Sequence, residues 1–248
     1  MTSTRSIVTR ALAATGLAVL AMPRPAAADE WQNTMLFYLV GAALEGESQV
    51  GPFATDVDAS FSDILDNLDA GFMGSYQASR NDWTYAIDAM YTGLGPSGTG
   101  PAGVRANLDI DQLIVSVDVA YRTNEYVELL GGARYNSLEL GLELVAPGGV
   151  IQRSNSEDWI DPYLGVRATI PFSPKWSLTL RGDIGGFDVG SEFAWHVVAR
   201  VDWWVSESLF LNAGYRILDT DYEDGSGPSL FRYDMTMSGP AAGIGWRF

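Results

Sequence analysis

The chain holds one histidine, His196, and no cysteine. Cysteine nucleophiles, disulfides and thiolate metal sites are therefore excluded. His196 is the only side chain whose ordinary pKa lies near neutrality, so general-base chemistry would centre on it. Asp183 sits on the preceding segment and Ser191 lies between the two. An acid, a base and a hydroxyl are the ingredients of acyl transfer, but no G-x-S-x-G sequence surrounds Ser191. A lipid-modifying or proteolytic enzyme centred on His196 is thus the alternative from a different class. The preferred expectation is a non-enzymatic protein in which His196 is hydrogen-bonded among acids. No Walker loop, dinucleotide fingerprint or zinc-ligand spacing occurs, so no cofactor and no metal are expected.

A second candidate is the run Asp219, Asp221, Glu223 and Asp224 before Gly225. Closely spaced carboxylates bind Ca²⁺, yet this Gly is one place late for an EF-hand and no Glu closes the loop. A solvated acidic loop is the expectation. Loosely held divalent cations at such loops are compatible with it.

The formal charge is −16. Residues 1–28 contain three Arg and no acid, so a chain without them keeps 12 basic and 31 acidic residues, a charge of −19. Nucleic acid, which needs a basic surface, is excluded as a partner. Those 28 residues read as a signal peptide: Arg5 and Arg10, an apolar stretch from Ala11 to Met22, then Ala26-Ala27-Ala28 as the cleavage site. Residues 29–248 form the expected mature domain, exported with cleavage near Ala28.

The elements that position these side chains read as strands. From Phe193 to Val205 every odd position is apolar, whereas His196, Arg200 and Asp202 occupy even ones. This period of two recurs in ten segments: 34–44, 68–79, 82–93, 107–122, 126–144, 158–172, 176–186, 192–205, 209–219 and 230–248. Parity changes near Asn136-Ser137, where a β-bulge is expected. Connections alternate between tight (Arg80-Asn81-Asp82, Thr123-Asn124-Glu125, Ser173-Pro174-Lys175, Ser206-Glu207-Ser208) and mostly longer (45–67, 94–106, 145–157, 187–191, 220–229). Turns at one end and loops at the other describe an all-β, closed, antiparallel up-and-down transmembrane barrel of about ten strands, eight remaining open. Trp83, Trp176 and Trp203 fall near the turn end, and Tyr91, Trp159, Trp195 and Tyr233 near the loop end, as membrane-interface aromatics.

The chain ends Ala242-Gly243-Ile244-Gly245-Trp246-Arg247-Phe248. An alternating last strand with a terminal Phe resembles the small bacterial outer-membrane β-barrel proteins of eight to ten strands. That resemblance implies that Phe248, supported by Trp246 and Ile244, is read by the barrel assembly machinery. It also implies outer-membrane lipid and lipopolysaccharide as surroundings.

Parity turns charged side chains inward: Asp88, Asp118, Glu128, Arg134, Glu139, Glu143, Arg167, Arg181, Asp183, Arg200, Asp202, Arg216, Arg232, Asp234 and Arg247. Near-balance of Arg and acids predicts interlocking ion pairs, since guanidinium forks match carboxylates. Ten strands lie closer to the filled eight-strand case than to a wide pore, so a narrow or plugged lumen is expected. Within the first loop, Ser60 and Asp63 form a capping box ahead of Phe61, Ile64, Leu65 and Leu68, predicting a short helix at 60–68. The functional expectation is an integral outer-membrane barrel, structural or with a narrow small-solute path, with a selective small-molecule channel as the alternative.

Overall fold

A computed structural model describes residues 30–99, 105–146 and 149–248; the expected signal peptide and its cleavage site lie outside the described residues. The strands are β1 (Gln32–Val40), β2 (Ala43–Val50), β3 (Phe53–Ala59), β4 (Leu68–Arg80), β5 (Trp83–Leu94), β6 (Ser97–Thr99), β7 (Arg105–Arg122) and β8 (Val127–Ala146). They continue with β9 (Gly149–Ser173), β10 (Trp176–Gly186), β11 (Phe193–Trp204), β12 (Leu209–Asp224) and β13 (Phe231–Arg247). All pair antiparallel in one sheet. β1 pairs with β4 on one side and β13 on the other, which closes the sheet into a barrel.

The wall has ten strands, because β1 and β2 run in line along one partner. β13 pairs β1 through Ala241 to Arg247 and β2 through Phe231 to Ser238. The break falls at Gly41, whose N–H donates to the Pro240 carbonyl at 2.7 Å. The backbones nearly touch there: a Cβ on Gly239 would come within 2.2 Å of the Gly41 carbonyl oxygen. Turn chemistry sets the other end. Asn81 takes φ 55° between Arg80 and Trp83, a left-handed conformation that Asn tolerates better than most side chains.

Three segments extend further than the alternation predicts. β9 has 25 residues, more than twice the ~9–11 that a tilted strand needs to cross a bilayer. The expected loop 145–157 is therefore largely a hairpin of β8 and β9 rising beyond the membrane. The expected loop 45–67 contains the hairpin of β2 and β3, turned at Gly51 with φ 57°. Its acids face one another, Glu45 opposite Asp58 and Glu47 opposite Asp56, so charge and not apolar spacing dominates its sequence and hides the strands. β12 likewise runs on to Asp224 through the expected acidic loop.

The bulge expected near Asn136-Ser137 is absent. β8 keeps continuous register with both β7 and β9. Even positions Leu130, Arg134, Asn136 and Leu138 are buried inside, which puts Glu139 and Glu143 on the outer face. Glu139 is exposed. Glu143 accepts from Asn107 and Gln152, its outward neighbours on β7 and β9.

Helix α1 (Phe61–Asp66) carries the expected cap. Asp63 N–H donates to Ser60 Oγ, and Ser60 N–H donates to Asp63 Oδ2. None of its residues is buried. A Cβ on Gly41 would lie 3.5 Å from the Phe61 ring, so the helix rests against the outer wall beside the Gly41 break and does not enter the barrel.

Candidate functional site

The outer surface fixes what the lumen must do. Val117, Val119, Leu129, Ile160, Leu164, Val166, Leu180 and Ile184 are all exposed on a sheet closed on itself. Water would oppose such a belt, whereas lipid matches it. At the turn end Trp83 packs on Tyr121 with centroids 4.9 Å apart, and Trp176 stacks on Trp203 at 5.8 Å. Trp246 and Phe248 meet edge to face at 6.1 Å, pointing outward with Ile244. Near the loop end Trp195 lies on the outer face opposite Ile184 and Asp219, and the Tyr91 hydroxyl donates to Asp111 at 2.6 Å. No helix among the described residues is long and apolar enough to cross a membrane. Strands with every ladder bond made by a neighbour cross it instead.

Polarity reverses above this belt. Trp159, expected at the membrane interface, is buried inside, because it shares the inward odd parity of Tyr163 and Arg167 on β9. Tyr233 is inside for the same reason on β13. With Leu138, Tyr222, Phe231 and Met235 they form an apolar core across the loop-end mouth. Gln112 on β7 donates to the Tyr233 hydroxyl on β13 at 2.9 Å, a tie across the lumen. Arg232 and Asp234, expected inside, alternate with those buried residues and so face out. Arg232 pairs with Glu223 and, at 3.9 Å, with Glu47. Where the wall leaves the bilayer its outside is water, so charges move out and apolar groups move in.

Below that core lies the charge network. Asp183 on β10 receives Arg134 Nη2 at 2.7 Å, Arg181 Nε at 3.0 Å and His196 Nδ1 at 3.0 Å. Arg181 Nη1 reaches on to Asp118 on β7 at 2.9 Å, and the Tyr163 hydroxyl donates to the same carboxylate at 3.2 Å. Both guanidinium groups lie near the Tyr163 ring, at 5.0 and 5.6 Å. A second knot joins Arg216 on β12 to Asp88 on β5 at 3.2 Å, with the Tyr38 hydroxyl donating to Asp88 at 2.7 Å. Towards the turns, Glu128 pairs with Arg167 at 2.7 Å and Arg122 at 3.8 Å, and Asp202 lies 3.0 Å from Arg200. Such buried pairs add little net stability. Removing one partner strands the other charge, at a cost of ~3–5 kcal/mol.

The lumen is not polar throughout. Leu36, Tyr38, Val40, Met90, Ile114, Phe210 and Leu218 make an apolar cluster on the wall around β1, β5 and β12. Asp161, not singled out in the sequence, is fully buried and accepts from four donors: Ser191 N at 2.6 Å, Ser191 Oγ at 2.9 Å, Asn136 Nδ2 at 3.1 Å and Trp159 Nε1 at 3.2 Å. It shares the parity of Arg167, which was the available signal. The Ser191 hydroxyl donates to Asp161, whereas the His196 ring meets Asp183. Below the network a cavity of about 550 Å³ runs from His196 and Arg216 to Trp204 and Arg247 at the turn end.

A closed antiparallel barrel, apolar outside, with aromatic belts and an ion-paired interior, is an integral membrane β-barrel. Its ten strands place it among the small ones. No family model matches the chain, and no curated protein matches it. Solved structures similar in fold include the attachment invasion locus protein Ail of Yersinia pestis, at 13% identity and TM-score 0.41 over 89% of this chain and 100% of that one. Neisserial surface protein A matches at 13% identity and TM-score 0.34, over 88% and 97% of the two chains. The translocator domain of autotransporter NalP from Neisseria meningitidis matches at 12% and 0.38, over 88% and 89%. At these values nothing beyond a barrel is shared.

Proposed function

We propose that this protein is a non-enzymatic barrel of the Gram-negative outer membrane, with its turns in the periplasm, that serves the envelope as a closed scaffold. The observation that carries this reading is that packed and ion-paired side chains occupy the lumen at two levels. Trp159, Tyr222 and Tyr233 pack together at the loop end, Arg216 and Asp88 join β12 to β5 across the lumen, and Asp183 binds β8, β10 and β11 together on one side of it. A solute would have to break buried ion pairs and unstack aromatics to pass.

Export with loss of residues 1–28, assembly through Ile244, Trp246 and Phe248, and divalent cations bridging the acidic outer hairpins to lipopolysaccharide belong to the same reading. Conductance in planar bilayers tests it. Silence at moderate voltage is the expected result. Stable unitary steps would replace the scaffold with the narrow selective channel.

A further inference from the structure

We propose that the turn-side cavity is a binding site for a small organic carboxylate with an apolar body, entered from the turn end. The proposal does not depend on the scaffold reading, since a barrel closed at its loop end and one that conducts would both present this vestibule to the same side.

Charge is the first observation. Between those knots and the turns, Arg122, Arg167, Arg200 and Arg247 line the cavity together with Glu128, Asp202 and Glu125. The vestibule is thus net cationic in a chain of formal charge −16. An anion enters a low-dielectric, cation-rich recess more readily than a neutral or cationic analogue.

Unmet donors are the second. Asn212 Nδ2, Arg216 Nε, Arg167 Nη1 and Arg247 Nε are buried and reach no protein acceptor among the described residues, against two buried acceptors without a hydrogen-bond donor, Asp118 Oδ1 and Asp202 Oδ1. The first three belong to side chains at most 9% exposed, and all four residues line the cavity. Buried N–H groups normally find acceptors. A surplus of donors calls for an acceptor-rich guest, and a carboxylate offers two oxygens and no donor.

Shape is the third. The Arg247 guanidinium stacks over the Trp204 ring at 4.0 Å and makes no ion pair among the described residues, which leaves its edge free as a fixed fork. Trp204 and Phe210, with centroids 4.7 Å apart, continue the wall, and Leu36 and Ala241 line it further. An apolar body fits against these rings while its carboxylate meets Arg247 and Asn212. Few polar groups in a mainly apolar recess is the usual make-up of a small-molecule site.

The test is calorimetric titration of the mature protein, folded in non-ionic detergent, with benzoate, benzyl alcohol, benzylamine and inorganic phosphate. Benzoate should bind at least tenfold more tightly than the other three. Asn212→Leu and Arg247→Gln should each weaken benzoate by about 10- to 100-fold, the range for one charge-assisted hydrogen bond. Arg232→Gln, on the outer face, should leave it unchanged. Gel mobility of unheated samples confirms that each variant is folded, and Asn212→Leu keeps the test open should Arg247→Gln fail to assemble. Equal binding of benzylamine or benzyl alcohol, no benzoate heat, or unaltered binding in folded Asn212→Leu would overturn the proposal. Phosphate as tight as benzoate would overturn the assignment of an apolar body.

Discussion

The indole of Trp159 lies flat on the ring of Tyr222, with centroids 4.1 Å apart and planes inclined by 9°. The same indole N–H donates to Asp161. Trp159→Ala removes the stack, the hydrogen bond and the centre of the loop-end core together. A loss of ~3–5 kcal/mol is expected, measured as a lower urea midpoint for the barrel in lipid vesicles. Trp83→Ala at the outer turn-end belt should cost less, because lipid replaces its lost contacts.

Asp183 holds three partners in a site where its side chain is fully buried. Asp183→Ala strands Arg134, whereas Arg181 keeps Asp118, and a destabilisation of ~3–5 kcal/mol should follow. The paired change Arg134→Leu with Asp183→Leu removes both members of the tightest contact and should recover part of that loss. Equal stability of Asp183→Ala and the natural chain in urea titration would contradict the network.

Gly132 leaves room for Tyr163. A Cβ there would come within 2.1 Å of the Val117 carbonyl oxygen and 2.8 Å of the Tyr163 hydroxyl oxygen. Gly132→Ala should push Tyr163 off Asp118 and cost ~1–3 kcal/mol, with a reduced folded fraction on refolding.

Leu180 stands between Trp176 at the turn-end belt and Ile184, which faces Trp195 near the loop-end belt. That position is mid-bilayer. Leu180→Arg should destabilise by ~2–4 kcal/mol in vesicles. Ser154→Arg, on the exposed hairpin that rises beyond the membrane, should be neutral.

Hydrogen bonds from the Ser60 side chain and backbone hold the Asp63 carboxyl below its ordinary pKa. The folded value is the lower one. Its contribution to α1 is therefore complete above the ordinary carboxylate range and lost as pH falls through the lowered value. Exchange of the Ile64 amide should speed up in that acid window while barrel amides stay protected. Asp63→Ala should give the fast rate at neutral pH.

Strand positions were legible because a closed, lipid-facing wall enforces strict alternation, as in Phe193 to Val205. Facing was legible only where one rule of polarity holds. For Arg134, Arg167, Asp183 and Arg216 the rule of apolar out and charged in applies. For Glu139, Glu143, Arg232, Asp234 and Trp159 it reverses, since that part of the wall stands in water. Applying one rule throughout demanded a bulge at Asn136-Ser137 that continuous hydrogen bonding excludes. Contacts such as Arg216 with Asp88 and Tyr38 join strands far apart in the chain, and no local pattern records them.

The most direct measurement is gel mobility of the mature protein refolded in detergent, loaded unheated and boiled, with circular dichroism on the same sample. A closed, detergent-stable barrel gives two positions, the unheated species migrating differently, and a β-dominated spectrum. A single position for both samples, from protein that stays soluble without detergent, would contradict the lipid-facing wall and the lumen it encloses.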